Sequence, residues 1–357
     1  MSTTEKYVAG GLEQEMLQFV QLNEAGALDA YATAASSEEK AIPAESVKAV
    51  VKYNFEIAGI GDFKGDTKSD ILLIDKATNT MKLWENGQQG NPDDNFVKTY
   101  NGGTVERVGD FNADKKADLL LAETSGKIYL LKGDLSAAPE QIGDLGAILS
   151  DGWKVIAVAD LDGNGTDDIM WQSSGGLVGY WASRPDGTIN DQLVKIGDLS
   201  ALLNEGWRVI GIGDFNADGW DDVLWQSDAG IVGYWRGAET GISDQLTVVG
   251  NLAAILNDGW KVVGIADFDG NGYDDILWQS GDLMIGYWKG LETGMSDQLE
   301  YSGNLTALKH ENWNVEGVGD FNGDGSADIL WASGANKLVG MWGAGSDKNW
   351  VTLGSLA

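Results

Sequence analysis

The chain has 357 residues, of which 43% are hydrophobic and 22% charged, so it can bury a sizeable core and is not a disordered polymer. Its net charge of −31 repels phosphate backbones and anionic membranes, which argues against a nucleic-acid partner. The absence of cysteine excludes disulfides and thiolate metal sites, and the single histidine, His310, leaves little room for histidine-dependent catalysis. Fifty glycines against four prolines indicate many tight turns between short strands, which favours an all-β fold.

The N-terminal 52 residues have a different pattern from the rest. Apolar residues at three- and four-residue spacing between Leu12 and Val20 predict a helix, and a polar stretch around Pro43 predicts a linker. We therefore predict a helical N-terminal extension at 1–52 and a separate domain at 53–357. The extension either packs on that domain or serves docking and assembly. The sequence contains no run of about 18 apolar residues, which is the length that would predict a membrane-spanning helix.

Residues 53–357 are organised by an internal repeat. Aligning residues 207–246 with residues 260–299, without gaps, gives 24 identities in 40 positions. An acidic loop recurs at spacings of 48, 50, 54, 53 and 53 residues, and its first residues are Asp62, Asp110, Asp160, Asp214, Asp267 and Asp320. The chain therefore contains six repeated units.

Each unit predicts four short strands. In the fourth unit, strand-length segments occur at 208–213, 223–227, 231–235 and 246–249, separated by Asp, Gly and Ser turn signals. Six such units of about 50 residues predict a six-bladed β-propeller, with an open β-solenoid as the alternative. Tryptophan recurs on the second and third strands of the units. Because large side chains are needed to fill the wedge-shaped space between blades, this recurrence favours the propeller. These tryptophans are Trp171, Trp225, Trp278 and Trp331, and Trp181, Trp235, Trp288 and Trp342.

The acidic loop of each unit places oxygen-bearing side chains at loop positions 1, 3, 5 and 9. A calcium ion takes six to eight oxygen ligands, and a glycine at position 6 permits the tight curl that brings these side chains together. The loops of units three to six fit this pattern fully. Their candidate ligands are Asp160, Asp162, Asn164 and Asp168; Asp214, Asn216, Asp218 and Asp222; Asp267, Asp269, Asn271 and Asp275; and Asp320, Asn322, Asp324 and Asp328.

The loops of the first two units depart from the pattern. Lys64 occupies position 3 of the first loop, where it is expected to pair with Asp62 or Asp70, and Lys115 with Lys116 replaces the glycine and its neighbour in the second. Their weaker candidate ligands are Asp62, Asp66 and Asp70, and Asp110, Asn112, Asp114 and Asp118. We predict about four structural calcium ions, and up to six. The alternative for any one loop is a turn in which the side chains accept backbone hydrogen bonds.

The pattern Gly-x-Gly-Asp-Phe-Asn-x-Asp-Gly-x-x-Asp-(Ile/Val)-Leu-Trp resembles FG-GAP/VCBS-type repeats, which also occur in integrin α-subunit propellers. The resemblance covers about residues 53–357 and implies that the loop residues named above bind calcium between the first two strands of each blade. Integrin propellers have seven blades, whereas this chain has six units. Similar bacterial proteins, with Leu-Trp-Gln-Ser and Gly-Tyr-Trp blocks, are generally extracellular or surface-associated. The resemblance therefore implies that this protein acts outside the cell or at its surface. It would reach that location by a route without a visible N-terminal signal peptide.

The sequence favours a binding module over an enzyme. Nearly all patterned carboxylates are explained as ligands, so a carboxylate-based glycosidase or lyase is the less favoured reading. Adhesion or binding of a carbohydrate or protein ligand is the leading hypothesis, with Trp220 and Tyr273, at position 7 of their loops, as candidate contact residues. The repeated Tyr-Trp pairs either stack on carbohydrate or form the core between blades. A structural subunit of a self-assembling extracellular layer or filament is the alternative function.

Overall fold

The computed structural model describes most of the chain from residue 55 onward. The described residues are 55–88, 97–99, 103–133, 135, 137–144, 151–190, 192–198, 206–238, 242, 246–251, 259–292, 295–296, 299–304, 312–335, 337–343 and 350–356. The predicted N-terminal helix, the linker around Pro43 and His310 lie outside these residues. The domain boundary between residues 52 and 53 stays a prediction.

The described residues form twenty-four strands, grouped into six blades of four. Blade 1 contains β1 (Phe55–Gly61), β2 (Asp70–Asp75), β3 (Thr80–Trp84) and β4 (Val97–Thr99), and blade 2 contains β5 (Thr104–Gly109), β6 (Asp118–Ala122), β7 (Lys127–Leu131) and β8 (Glu140–Asp144). Blade 3 contains β9 (Lys154–Ala159), β10 (Asp168–Gln172), β11 (Leu177–Trp181) and β12 (Val194–Asp198), and blade 4 contains β13 (Arg208–Gly213), β14 (Asp222–Gln226), β15 (Ile231–Trp235) and β16 (Thr247–Asn251). Blade 5 contains β17 (Lys261–Ala266), β18 (Asp275–Gln279), β19 (Met284–Trp288) and β20 (Glu300–Asn304), and blade 6 contains β21 (Trp313–Gly319), β22 (Asp328–Ser333), β23 (Leu338–Trp342) and β24 (Trp350–Ser355).

Every blade is an antiparallel meander in which the strands pair in chain order. In blade 4, the register places Val209 opposite Trp225 and then skips one residue, so that Gly211 lies opposite Leu224. The same one-residue irregularity occurs in the first strand of the other blades. A bulge of this kind bends the strand and increases its twist, as the innermost strand of a blade requires.

The six blades close into a ring. Their first strands β1, β5, β9, β13, β17 and β21 lie side by side, and β21 contacts β1. A backbone hydrogen bond joins each acidic loop to the loop of the preceding blade, and the bond from Ser69 N–H to the Asp320 carbonyl, at 2.7 Å, joins blade 1 to blade 6. The prediction of a six-bladed β-propeller is therefore confirmed, and the open solenoid is wrong.

The hydrophobic core is divided into six clusters, and each cluster fills the seam between two neighbouring blades. Between blades 3 and 4, Met170 and Tyr180 of one blade pack on Trp225 and Trp235 of the next. Between blades 6 and 1, Phe321 and its neighbours pack on blade 1 in the same way. Every cluster contains at least one buried aromatic side chain, and in the seam between blades 1 and 2 this is Phe63.

None of the helical segments among the described residues is long and apolar enough to cross a membrane.

Candidate metal centres

The six acidic loops connect the first and second strands of their blades, and so lie together at one end of the ring. We call them loops 1 to 6, and number their positions from 1 to 9. They comprise residues 62–70, 110–118, 160–168, 214–222, 267–275 and 320–328. Because every loop follows an innermost strand, the scaffold presents all six at the same face.

The aspartate at position 1 curls the loop around its own carboxylate. In loop 3, Asp160 accepts hydrogen bonds from the backbone N–H groups of Asn164 and Gly165, at 3.0 and 2.9 Å. In loop 1, Asp62 accepts the equivalent bonds from Asp66 and Thr67, at 3.1 and 2.7 Å. The same pair of bonds occurs in the other four loops. Turn-type hydrogen bonding therefore shapes the loops, as the alternative interpretation expected, and it also gathers their oxygen atoms.

Position 6 has a left-handed backbone in every loop. Loops 3 to 6 place glycine there, with φ between +83° and +87°, as the sequence predicted. Loops 1 and 2 hold Thr67 at φ +71° and Lys115 at φ +64° instead. A residue with a side chain loses about 1–2 kcal/mol of conformational free energy in the left-handed backbone region. Loops 1 and 2 nevertheless adopt the same curl as the other four.

The aspartate at position 9 anchors its loop to the blade, a role that the sequence analysis missed. Asp275 is fully buried, and its two carboxylate oxygens accept backbone hydrogen bonds from Phe268 at 3.1 Å and Gly290 at 2.9 Å. Phe268 is in the loop itself, whereas Gly290 follows the third strand. The position-9 residues of loops 1, 2 and 3 are held in the same way.

Positions 3 and 5 bring further oxygens to the loops. In loops 3 and 5, carboxylate oxygens from positions 1, 3 and 9 lie within 4.8 Å of one another, so two clusters of three acidic residues could hold a metal ion. These clusters are Asp160, Asp162 and Asp168, and Asp267, Asp269 and Asp275. In loop 4, the side-chain oxygen of Asn216 is buried and has no hydrogen-bond partner among the described residues. Carboxylate and amide oxygens are the ligands that calcium prefers, so these residues fit the ion.

The lysines of the first two loops have contacts that the sequence did not predict. Lys64 forms an ion pair with Glu85, with 2.5 Å between Nζ and Oε1, and its pairing with Asp62 or Asp70 stays a prediction. Lys116 extends over Gly65, a residue of loop 1 in the preceding blade. Metal binding by these two loops stays a prediction.

A second set of aspartates, at position 8, connects neighbouring loops. Asp221 accepts a hydrogen bond from the backbone N–H of Asp160 in the preceding blade, at 2.9 Å. Asp167 and Asp274 make the same contact with the loops before them. Loop spacing did not predict this role, although consecutive aspartates at positions 8 and 9 of three loops were its visible signal.

The aromatic candidates for ligand contact differ in burial, and none of those described below is fully exposed. Trp220 is half-buried and lies so close to Gly163 of loop 3 that a β-carbon there would collide with its indole nitrogen. Tyr273 is also half-buried. Ligand contact by these two residues stays a prediction. Trp181 is buried, with its ring centre 4.7 Å from that of Trp171, which confirms core packing for that tryptophan of a Tyr-Trp pair.

Burial strongly affects the acid strength of these carboxyl groups. It raises the pKa of the position-9 residues above their ordinary value of 3.8, to about 6 in Asp70, about 7 in Asp118, Asp222 and Asp275, and about 8 in Asp168. It also raises the pKa to about 6 in Asp167 and Asp274 and about 7 in Asp221. Hydrogen bonds from backbone N–H groups oppose the shift in each case, because they stabilise the charged form.

We expect the metal-free protein to lose stability as the pH rises through 6 to 8. The folded state binds protons there that the unfolded state has already released, so ionisation favours unfolding. Calcium binds the ionised carboxylates, and its presence should therefore remove or reverse the loss. Unfolding free energies at pH 5, 6, 7 and 8, in chelator and in calcium, measure both trends. Stability that increases with pH in chelator would contradict the raised pKa values.

Part of the chain is similar in sequence to known proteins. Residues 110–171 match the family model of the FG-GAP-like repeat, from loop 2 to the second strand of blade 3. Integrin alpha pat-2 of Caenorhabditis elegans is 26% identical over 200 residues, which cover 45% of this chain. The chain spans only 16% of that relative. Residues 110–171 are therefore similar to an FG-GAP-like repeat.

Similar solved structures were also found. Two crystal structures of BBS1N in complex with ARL6DN, soaked with mercury and with lead, align with TM-scores of 0.42 and 0.41 and 11% identity. The alignments cover 85% and 84% of this chain, and 86% and 83% of the other chains.

Proposed function

We propose that this propeller is a calcium-stabilised adhesion or ligand-binding module that acts outside the cell or at its surface, on a glycan or protein ligand. The observation that carries the proposal is the ring of six preformed acidic loops, fixed at one face and hydrogen-bonded from blade to blade. A rigid scaffold that presents loops from every blade is suited to recognition. Extracellular calcium, at millimolar concentration, would fill loops of modest affinity.

Calcium is proposed at loops 3 to 6, and more weakly at loops 1 and 2. The carboxylate and amide oxygens at positions 1, 3, 5 and 9 would hold the ion, and its charge would reduce the repulsion between the clustered acids. Since position 9 is tied to the third strand and position 8 to the preceding blade, an ion in a loop would stiffen both attachments.

A non-catalytic role fits the use of the carboxylates. The acids at positions 1 and 9 accept backbone hydrogen bonds at short distance, as Asp275 does with both of its oxygens. Such groups are held by the scaffold and are not presented to a substrate as an acid and base pair. We therefore propose binding and not catalysis, with Tyr273 a better contact residue than the packed Trp220.

The proposal is tested on a glycan array and on a panel of purified matrix proteins, each with calcium and with chelator. We expect saturable binding to at least one probe, weakened by chelation. Absence of binding to both panels by the folded, calcium-loaded chain would overturn the binding role.

Self-assembly is a second candidate, and the outer strands favour it. The fourth strand of each blade is at the edge of its sheet, and Val248 on β16 is 61% exposed there. Val194 on β12 and Val351 on β24 are exposed at the equivalent edges. Unpaired edges with apolar side chains can join copies of a chain. A light-scattering mass that increases with calcium would favour assembly over a monomeric module.

A further inference from the structure

The six loops differ in the charge of a neighbouring residue that is not part of the loop. This neighbour follows the third strand directly, and the next residue along donates its backbone N–H to the position-9 carboxylate in blades 1 to 5. We call it the flanking residue. The flanking residues of blades 1 to 6 are Glu85, Lys132, Ala182, Arg236, Lys289 and Gly343.

In two blades the flanking residue is a cation paired with a candidate metal ligand. Lys289 lies with Nζ 3.0 Å from an oxygen of Asp269 at position 3 of loop 5, and both side chains are about three-quarters buried, with exposures of 25% and 22%. Arg236 approaches Asp218 at position 5 of loop 4, at 3.7 Å, in a more exposed setting. These side chains place positive charge where a metal ion would be bound.

In blade 1 the same ion pair is reversed. The loop supplies the cation, Lys64, and the flanking residue supplies the acid, Glu85. The exchange keeps a charge pair between the loop and the end of the third strand, and it removes one oxygen donor from the loop. Blades 1, 4 and 5 therefore each hold a cation at this place in the fold, whichever of the two residues carries it.

Loop 3 has a different environment. Its flanking residue is Ala182, and no ion pair reaches Asp160 or Asp162 among the residues that the structure describes. The indole of Trp220 from the next blade lies against Gly163 at position 4, and Asp160 and Asp162 are both half-buried. Half-buried carboxylates without a cationic partner attract a cation more strongly than paired ones.

Building on the proposed calcium sites, we propose that cationic side chains beside the loops grade their calcium affinities. Loop 3 binds calcium most tightly, and Lys289 weakens calcium binding in loop 5. A calcium ion in loop 5 must compete with an ammonium group for Asp269. The two positive charges would be only a few ångströms apart, at which distance their repulsion weakens binding by at least about tenfold in a partly screened site. Arg236 has a smaller effect on loop 4, because its pair is longer and more exposed.

Titration of the chelated full chain with calcium and with terbium tests the grading. We expect the first terbium ion to give strong tryptophan-sensitised emission from loop 3, and Trp220→Phe to lower that emission while leaving its midpoint in place. Lys289→Met is expected to tighten a later calcium step by about tenfold. Asp267→Asn should remove that same step, which assigns it to loop 5.

The matched control introduces the cation into blade 3. Ala182→Lys is expected to weaken the first step by about tenfold, with circular dichroism showing that the variant is folded. Unchanged steps in Lys289→Met would overturn the grading, even if Ala182→Lys failed to fold. Complete absence of calcium uptake would instead overturn the proposed metal sites themselves, so the two failures are distinguishable.

Discussion

Replacement of Trp225 by alanine is expected to lower the free energy of unfolding by about 3–5 kcal/mol, because a large cavity would open in the seam between blades 3 and 4. The side chain is 1% exposed, and its ring centre lies 4.6 Å from that of Trp235. It also packs against Met170 and Tyr180 of the preceding blade. Denaturant unfolding in chelator measures the loss without any contribution from metal.

Two further variants separate seam packing from a general effect of tryptophan. Trp225→Phe keeps a ring in the seam and removes an N–H that has no hydrogen-bond partner among the described residues, so it should cost clearly less than alanine. Trp220→Phe changes a half-buried residue and should cost less again. A loss below about 1 kcal/mol for Trp225→Ala would contradict the account of the seams.

Replacement of Asp275 by alanine is expected to destabilise the metal-free protein by about 2–6 kcal/mol, since two buried N–H groups would lose their acceptor at about 1–3 kcal/mol each. The affected donors are Phe268 and Gly290, so loop 5 would lose its attachment to the third strand of its blade. Unfolding in chelator at pH 5, below the raised pKa of about 7 in Asp275, measures this anchoring role without metal and without the cost of ionising the buried carboxyl group.

The matched variant Asp269→Ala changes another candidate ligand of the same loop. Its carboxylate is paired with Lys289 and does not anchor the blade, so its removal should lower metal-free stability clearly less than the removal of Asp275. Both variants should lose calcium at loop 5. Equal destabilisation by the two variants would show that position 9 is an ordinary loop residue and not an anchor.

The repeat made much of the fold predictable. The predicted first and third strands of the fourth unit coincide with β13 and β15, because glycine-rich turns and alternating apolar residues mark short strands clearly. The six blades follow from the regular spacing of Asp62, Asp110 and their equivalents. Closure of the ring was not readable from the spacing, because it depends on contacts between blade 6 and blade 1 that are distant in sequence.

The loops were predictable as acidic clusters, but the division of labour within them was not. Spacing alone treats positions 1, 3, 5 and 9 as equivalent oxygen donors. The structure shows that Asp275 is buried under two backbone donors while Asp269 faces a lysine. The pairing of Lys64 with Glu85 was likewise hidden, since the two residues are brought together only when the third strand folds beside the loop.

The central claim is that calcium in the acidic loops stabilises the propeller, and calcium titration of the chelated full chain tests it most directly. Calorimetry should detect about four sites, and the melting temperature should rise with calcium. An ion that binds only the folded state adds about 2.7 kcal/mol per site at a concentration one hundred times its Kd. An absence of calcium uptake, with an unchanged melting temperature at millimolar calcium, would contradict the claim and leave the loops as hydrogen-bonded turns.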